Sequence, residues 1–279
     1  MKLATIVTEA GTRAVRVDDD TAVEISPDIA DVGALLSRSD WAELSAQTGG
    51  LRHDWQTAKV ATLIPTPGKI ICVGLNYRNH ILEMGRDLPD YPTVFAKFPD
   101  TLTGPYDDIE APQEDLQLDW EAELTVVVGN VVRHADAATA SAAIAGYTVA
   151  NDVSMRGYQF RTKEWLQGKM WDRSTPVGPV LVTTDAWTPG PTISTVVNGT
   201  TMQEASTGDL VHDPIALVTY LSTIITLRPG DLILTGTPGG VAHARKPPTY
   251  LRAGDVVETS IDGIGTLRNT IVASTGRAG

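Results

Sequence analysis

Cysteine is nearly absent from this chain: Cys72 is the only one in 279 residues. That excludes an intrachain disulfide and any cysteine-based metal site. Its Val/Ile neighbourhood marks it as a small core residue rather than a nucleophile. No apolar run is long enough to read as a membrane span. Met1–Val7 lacks the apolar core of a signal peptide and starts like a strand, so a cytoplasmic location is expected. Positive charge is also scarce. With 22 Lys and Arg against 34 Asp and Glu, the formal net charge is −12, which disfavours nucleic acid and anionic membrane as partners. The composition, 42% hydrophobic and 20% charged, is that of a folded globular protein. An acidic protein that takes an anionic substrate needs a local positive island, which a cation and a few Lys or Arg residues must supply.

The organising stretch is Asp119-Trp-Glu-Ala-Glu-Leu-Thr-Val-Val-Val-Gly129. Its apolar, β-branched second half reads as a strand. Alternation then points Glu121 and Glu123 the same way, roughly 7 Å apart along the chain. Glu-x-Glu is common on solvated strand faces, but a second strand-like run changes the odds. Gly146–Val153 puts Tyr147, Val149 and Val153 on one face and Thr148, Ala150 and Asp152 on the other. Three carboxylates with small neighbours suit a hard divalent cation and leave about three octahedral positions for water or substrate.

Residues 1–64 read as a small β-rich unit, with strands at Leu3–Val7, Arg13–Val17 and Ala22–Ile25 and a helix after Asp28. Pro65-Thr66-Pro67-Gly68 is the expected boundary to a catalytic domain over 65–279. Within it, strands are expected at Lys69–Gly74, Thr93–Phe98, Leu232–Leu234, Val256–Ile261 and Thr266–Val272. An Ala-rich helix is expected over Ala135–Ala145 with Gly146 as its stop, and a type I′ hairpin at Asn198-Gly199. Asp213-Pro214 opens a helix with Ile215, Val218, Leu221 and Ile225 at helical spacing. The conformation of Arg156–Asp172 stays open. Many strands and few helices give a β-rich α+β fold.

Other groups could take part in chemistry. His80 and Glu83 stand at i and i+3, where a helix lets a carboxylate orient an imidazole as a base for water. They sit in a polar stretch over 75–90 that ends near Gly85 and reads as a lid. Lys169 can balance charge beside three carboxylates. Thr235-Gly-Thr-Pro-Gly-Gly240 offers hydroxyls and backbone N–H groups to a carboxylate, but lacks the lysine of a phosphate-binding loop. His53, His134, His212 and His243 show no partner pattern.

Asn76-Tyr77 with His80 and Glu83, Glu121-x-Glu123, Asn151-Asp152, Gln159, Gly168-Lys169, Thr235–Pro238 and Gly263–Asn269 occur in the order found in the fumarylacetoacetate hydrolase family, which the chain resembles over about 65–272. The resemblance implies a β-sandwich roll with a small N-terminal β-domain, assembled as a homodimer. It implies one Mg²⁺ or Mn²⁺ on Glu121, Glu123 and Asp152, and a 2-oxo or 2,4-dioxo acid as substrate. It places His80, Glu83 and Lys169 in catalysis, and Tyr77, Arg156, Gln159, Gly236 and Thr237 on the substrate side. Gly157 departs from the Arg-Asp-x-Gln pattern of the family and affects the pocket for the substrate tail. The His80–Glu83 pair favours an acylpyruvate hydrolase of the fumarylpyruvate type, in aromatic catabolism, working through a metal-bound enolate and a His-activated water. The alternatives are an oxaloacetate decarboxylase or a 2-hydroxymuconate-type isomerase. A non-enzymatic protein with a structural cation is a more remote reading.

Overall fold

The structure is a computed structural model that describes residues 1–83, 85 and 87–274. An 11-stranded mixed sheet forms its backbone, and a five-stranded sheet packs beside it. The fold is β-rich α+β, as the alternation in the sequence requires. Among the described residues, no helix is long and apolar enough to cross a membrane.

The strand Ala122–Val128 lies deep inside the large sheet and is buried along its whole length. It pairs antiparallel with Ile144–Asn151 on one side and with Leu232–Leu234 on the other. Leu232–Leu234 runs parallel to Ile70–Gly74, which pairs antiparallel with the edge strand Thr93–Lys97. Strand alternation sorts the side chains onto two faces. Ala122, Leu124 and Val126 pack with Tyr147, Val149, Ile71 and Val73 in one core cluster. Val127, Ala150, Ile70, Cys72 and Leu234 pack in the other, with Phe95 against them. Glu123 has the register of Val127, so it emerges on this second face beside Cys72 and Ala150. Cys72 is buried, and burial pushes its thiol up, which keeps it inert.

The N-terminal strands form at Lys2–Thr8, Gly11–Asp18 and Thr21–Glu24, followed by the helix Val32–Leu36, and the strands continue the large sheet. Lys2–Thr8 pairs with Thr175–Thr183, and Ala4, Ile6 and Val15 belong to the same core cluster as Leu124. The hairpin at Asn198-Gly199 has positive φ at both residues, 49° and 78°, as a type I′ turn demands. Two expectations need correction. The Ala-rich helix covers only Ala137–Ala143, capped by Asp136. Ile144 already belongs to the next strand, and Gly146 lies inside that strand rather than stopping the helix. In Pro214–Ile224, capped by Asp213, the inward face is Leu217, Val218 and Leu221. Ile225 falls past the helix end and is exposed.

The five-stranded sheet reaches the site through two side chains. Gln203 accepts from Ala122 N at 3.1 Å and donates to Thr237 Oγ1 at 2.8 Å. Asn151 donates to Thr259 Oγ1 at 2.9 Å.

Candidate active site

Asp152 follows the strand Ile144–Asn151 and is fully buried, as Glu123 nearly is at 1% exposure. Ligand oxygens of Glu121, Glu123 and Asp152 lie within 4.8 Å of one another. Such crowding in a dry site needs positive charge to persist. Lys169 Nζ stands 2.7 Å from Glu121 Oε2 and 2.7 Å from Asp152 Oδ2. Lys97 Nζ takes the other Asp152 oxygen at 2.6 Å. Arg156 Nη2 lies 2.7 Å from Glu121 Oε1, and its Nε lies 2.8 Å from Asp119 Oδ2.

Within this contact cluster, Asp119, Glu121, Glu123 and Asp152 contribute −4 and Lys97, Lys169 and Arg156 contribute +3, a net formal charge of −1. A divalent cation would turn that into +1, the island an anionic substrate requires. The residues fit such an ion. Burial, with Asp152 and Glu121 beside it, pushes the Glu123 carboxyl well above the usual carboxylate range, a penalty that a cation among the three oxygens would reverse. Asp152 shows the opposite balance. Burial alone would raise its carboxyl, but Lys169 and Lys97 hold it down at about 2. Lys169 is likewise opposed by burial, yet Asp152 and Glu121 raise it above the ordinary lysine value, so it is an ammonium at neutral pH.

Arg156–Gln159 and Leu166–Lys169 are two short helical turns that deliver the cations. They can approach because Gly168 has no side chain. A Cβ there would meet Gln159 Cβ at 2.5 Å and Met155 O at 2.6 Å. Gly236, with φ of +99°, turns its N–H onto Glu123 Oε2 at 2.7 Å. A Cβ at this position would meet Val73 O at 2.8 Å. Gln159 accepts from Arg156 Nη1 at 2.7 Å through its Oε1, which leaves its amide N–H₂ for the cavity.

The cavity over this cluster holds about 360 Å³. Glu121, Glu123, Arg156, Gln159, Lys169 and Thr237 line its inner end, and Phe95, Phe160, Trp165 and His243 add aromatic walls. A larger groove of about 950 Å³ lies on the far side of the Thr237–Gly240 turn, but the cation and carboxylate cluster is not in its lining.

The sequence reading is thus brought together at Glu121, Glu123, Asp152, Arg156, Gln159, Lys169, Gly236 and Thr237. Tyr77 is placed differently. Its ring is 1% exposed in the main core, held by a bridge to Leu210, and it lines the larger groove instead. Asn76 is bolted down by donation to His212 O and Thr235 O. The lid expected over 75–90 therefore has fixed core residues at its start, and its helix runs Arg78–Glu83. The side chains of His80 and Glu83 lie outside the described residues. Gly157, the departure from the family pattern, makes room for the Asp115 carboxylate, which a Cβ would meet at 2.7 Å. Arg156 then finds its carboxylate partner in Asp119.

Lys97 and Asp119 were missed. Lys97 has a sequence signal in retrospect: it ends an alternating run in which Phe95 and Lys97 face inward. Asp119 has none beyond its place in the Glu121 stretch. Its oxygens accept from Arg156 and from the backbone N–H groups of Trp120, Ala242 and His243.

A family model for the fumarylacetoacetate (FAA) hydrolase C-terminal domain matches residues 69–272. The rat protein named oxaloacetate tautomerase Fahd2a, mitochondrial, is 43% identical over 220 residues, covering 77% of this chain and 70% of that protein. Human oxaloacetate tautomerase FAHD2A, mitochondrial, is 41% identical over 221 residues, with the same coverages of 77% and 70%. Among solved structures, a fumarylacetoacetate hydrolase from Exiguobacterium antarcticum matches with a TM-score of 0.89 at 32% identity, covering 98% of this chain and 100% of that one. A 5-carboxymethyl-2-hydroxymuconate delta-isomerase from Mycobacterium smegmatis matches with a TM-score of 0.83 at 31% identity and the same coverages, 98% and 100%. The chain belongs to the fumarylacetoacetate hydrolase family of enzymes, which act on small organic acids.

Proposed function

We propose that this protein is a divalent-cation-dependent keto–enol isomerase of a small 2-oxo acid of the oxaloacetate type. The expectation of an acylpyruvate hydrolase gives way to isomerase chemistry, the class of its 2-hydroxymuconate-type alternative, with an oxaloacetate-type acid as the substrate. The relatives named as oxaloacetate tautomerases and the neighbour named as an isomerase support that move. The hydrolase reading drew on His80 and Glu83 as a water-activating pair, whereas keto–enol exchange consumes no water and asks of such a pair only that it relay a proton.

The observation that carries the reading is Lys169. Two of its three N–H donors are held by Glu121 and Asp152, and the third is free, among the described residues, at the wall of the cavity. Keto–enol exchange moves one proton between the carbon next to the 2-oxo group and its oxygen, and the barrier lies in the negative charge that forms on that oxygen. Glu121, Glu123 and Asp152 would hold Mg²⁺ or Mn²⁺, which supplies Lewis-acid stabilisation of that oxygen when bound. Lys169 adds a fixed ammonium that needs no reorganisation as the charge develops. The Gln159 amide and the Thr237 side chain stand at the same end of the cavity to orient the acid. Glu123, raised by burial and like-charged neighbours, would be the group most strongly reset by loading the ion.

The test is direct. Purified protein with Mg²⁺ or Mn²⁺ is assayed for oxaloacetate tautomerisation by the loss of enol absorbance. Acetylpyruvate cleavage and oxaloacetate decarboxylation are followed in parallel. Tautomerisation outpacing both by about a hundredfold or more is the expected result. Faster acetylpyruvate cleavage would return the hydrolase reading.

A further inference from the structure

The inner end of the cavity accounts for one end of a substrate, and among the described residues the rim holds one titratable side chain that the proposed reaction does not use. His243 lies in the short 3-10 turn Ala242–Ala244 and lines the cavity mouth with Phe160. Its backbone N–H donates to Asp119 Oδ2 at 3.0 Å, the same carboxylate oxygen that takes Arg156 Nε. The rim is thereby tied to the inner cluster by one carboxylate. The ring is also held. Its centroid lies 4.8 Å from that of Phe160, with the planes at 35°. Its Nδ1 meets Tyr250 Oη at 3.0 Å, and that hydroxyl donates onward to Gln117 Oε1 at 3.4 Å. Having given its proton to Gln117, the hydroxyl accepts from Nδ1–H. Nε2 has no partner among the described residues.

The nearby arginines are already engaged. Arg156 serves Asp119, Glu121 and Gln159. Arg245 donates to Met202 O and Gly240 O. Arg161 lies over the Tyr158 ring at 3.4 Å. Among the described residues at the mouth, His243 keeps a ring nitrogen, Nε2, without a hydrogen-bond partner. In its protonated form the imidazole gives Nδ1–H to Tyr250 and Nε2–H to an anion, in a charge-assisted bond.

We propose that His243 is a specificity-determining residue that receives the far carboxylate of a dicarboxylic 2-oxo acid, with Tyr250 and Phe160 fixing its ring. This rests on the cavity being the substrate site, as proposed above, and names its substrate class. An acid with a neutral group at its far end gains nothing from the imidazole. A short dianion that fits only the inner end does not reach it.

The experiment uses Mg²⁺-loaded protein and three probes: oxaloacetate, acetylpyruvate, in which a neutral acetyl group replaces the far carboxylate, and oxalate, which fits the inner end alone. Affinity is read by stopped-flow tryptophan fluorescence before turnover, and KM and kcat are read separately. The wild type should bind oxaloacetate about tenfold more tightly than acetylpyruvate, and His243→Leu should remove that preference. The loss should lie in Kd and KM for oxaloacetate rather than in kcat, with acetylpyruvate and oxalate unmoved. His243→Gln, which keeps a donor, should recover part of it. Tyr250→Phe, which unpins the ring, should give a smaller shift in the same direction. Equal weakening of all three probes in His243→Leu would reduce the residue to a wall of the pocket and overturn the inference. So would a wild type with no preference for oxaloacetate, even if it tautomerises that acid well. A preference that His243→Leu abolishes in a protein without tautomerase activity would support the inference and remove the proposed reaction.

Discussion

The two ends of the cavity are built on different principles. At the inner end, Lys97, Asp119, Glu121, Glu123, Asp152, Arg156 and Lys169 are all buried, and several strands and two helical turns supply them. At the mouth, Phe160 is 52% exposed and Leu75 is 39% exposed. His243 is held by one hydroxyl and one aromatic neighbour. Removing a charge from the inner end leaves another buried charge without a partner, so substitutions there carry both a catalytic and a structural penalty. Groups at the mouth are solvated and leave no buried charge behind when replaced, so substitutions there should bear on which acid enters rather than on stability. On the proposed reading, the inner end sets the reaction class and the mouth the substrate range.

That contrast is broken most severely at Glu123. Glu123→Ala should weaken Mg²⁺ or Mn²⁺ binding by roughly a hundredfold or more, because the remaining oxygens cannot complete the shell. Isothermal titration of the ion reads this, and wild-type affinity would place the cation elsewhere.

Lys97→Met leaves Asp152 Oδ1 without its ammonium partner at 2.6 Å. Breaking a buried pair in this way costs about 3–5 kcal/mol, which urea unfolding of the metal-free protein should show. Added Mg²⁺ should recover part of the loss. A variant as stable as the wild type without metal would mean that Lys97 is not a required counter-charge.

Lys169 tests the same end through pH. Its folded value lies above its unfolded value. The stability it contributes is fully present below the ordinary lysine pKa and is lost as pH rises through the elevated folded value. The stability difference between metal-free wild type and Lys169→Met should therefore stay level from neutral pH to about 9 and shrink only at higher pH. Thermal melts across that range are the check, and a difference that fades between pH 7 and 8 would show a neutral lysine.

Gly168→Ala is a milder test. The new Cβ would press on Gln159 and on Met155 O and displace Lys169 without removing it. A loss in kcat on the order of tenfold is expected with ion affinity nearly unchanged. The smallest effect belongs to the mouth: Phe160→Ala should change KM within about threefold and leave inner-end inhibition by oxalate unchanged.

Much of this arrangement was legible in the chain. Strand periodicity is local, so three carboxylates on two neighbouring strand-like runs could be read from alternation, although Glu121 lies just before the strand Ala122–Val128 and Asp152 just after Ile144–Asn151. The hairpin at Asn198-Gly199 and the caps at Asp136 and Asp213 were legible for the same reason. The early end of the Ala-rich helix was not. Its Ala residues favour helix, but Ile144 and the residues after it are claimed by ladders with Ala122–Val128 and Thr175–Thr183.

By itself, the sequence determined which faces carry carboxylates, the β-rich class and the inertness of the single cysteine. Only the tertiary structure decided the counter-charges. Lys97 lies 55 residues before Asp152, and Asp119 lies 37 residues before Arg156. No periodicity links them, because each pair is made by strand order and by the crossing of short helical turns over the sheet. The same holds for His243, which is brought to the cavity by the hold of Asp119 on its backbone and has its ring fixed by Tyr250. A charge in sequence is a number. Its partner, and therefore its energy, depends on the fold, because Coulomb interactions in a buried site are set by distances of a few ångströms that separation along the chain does not encode.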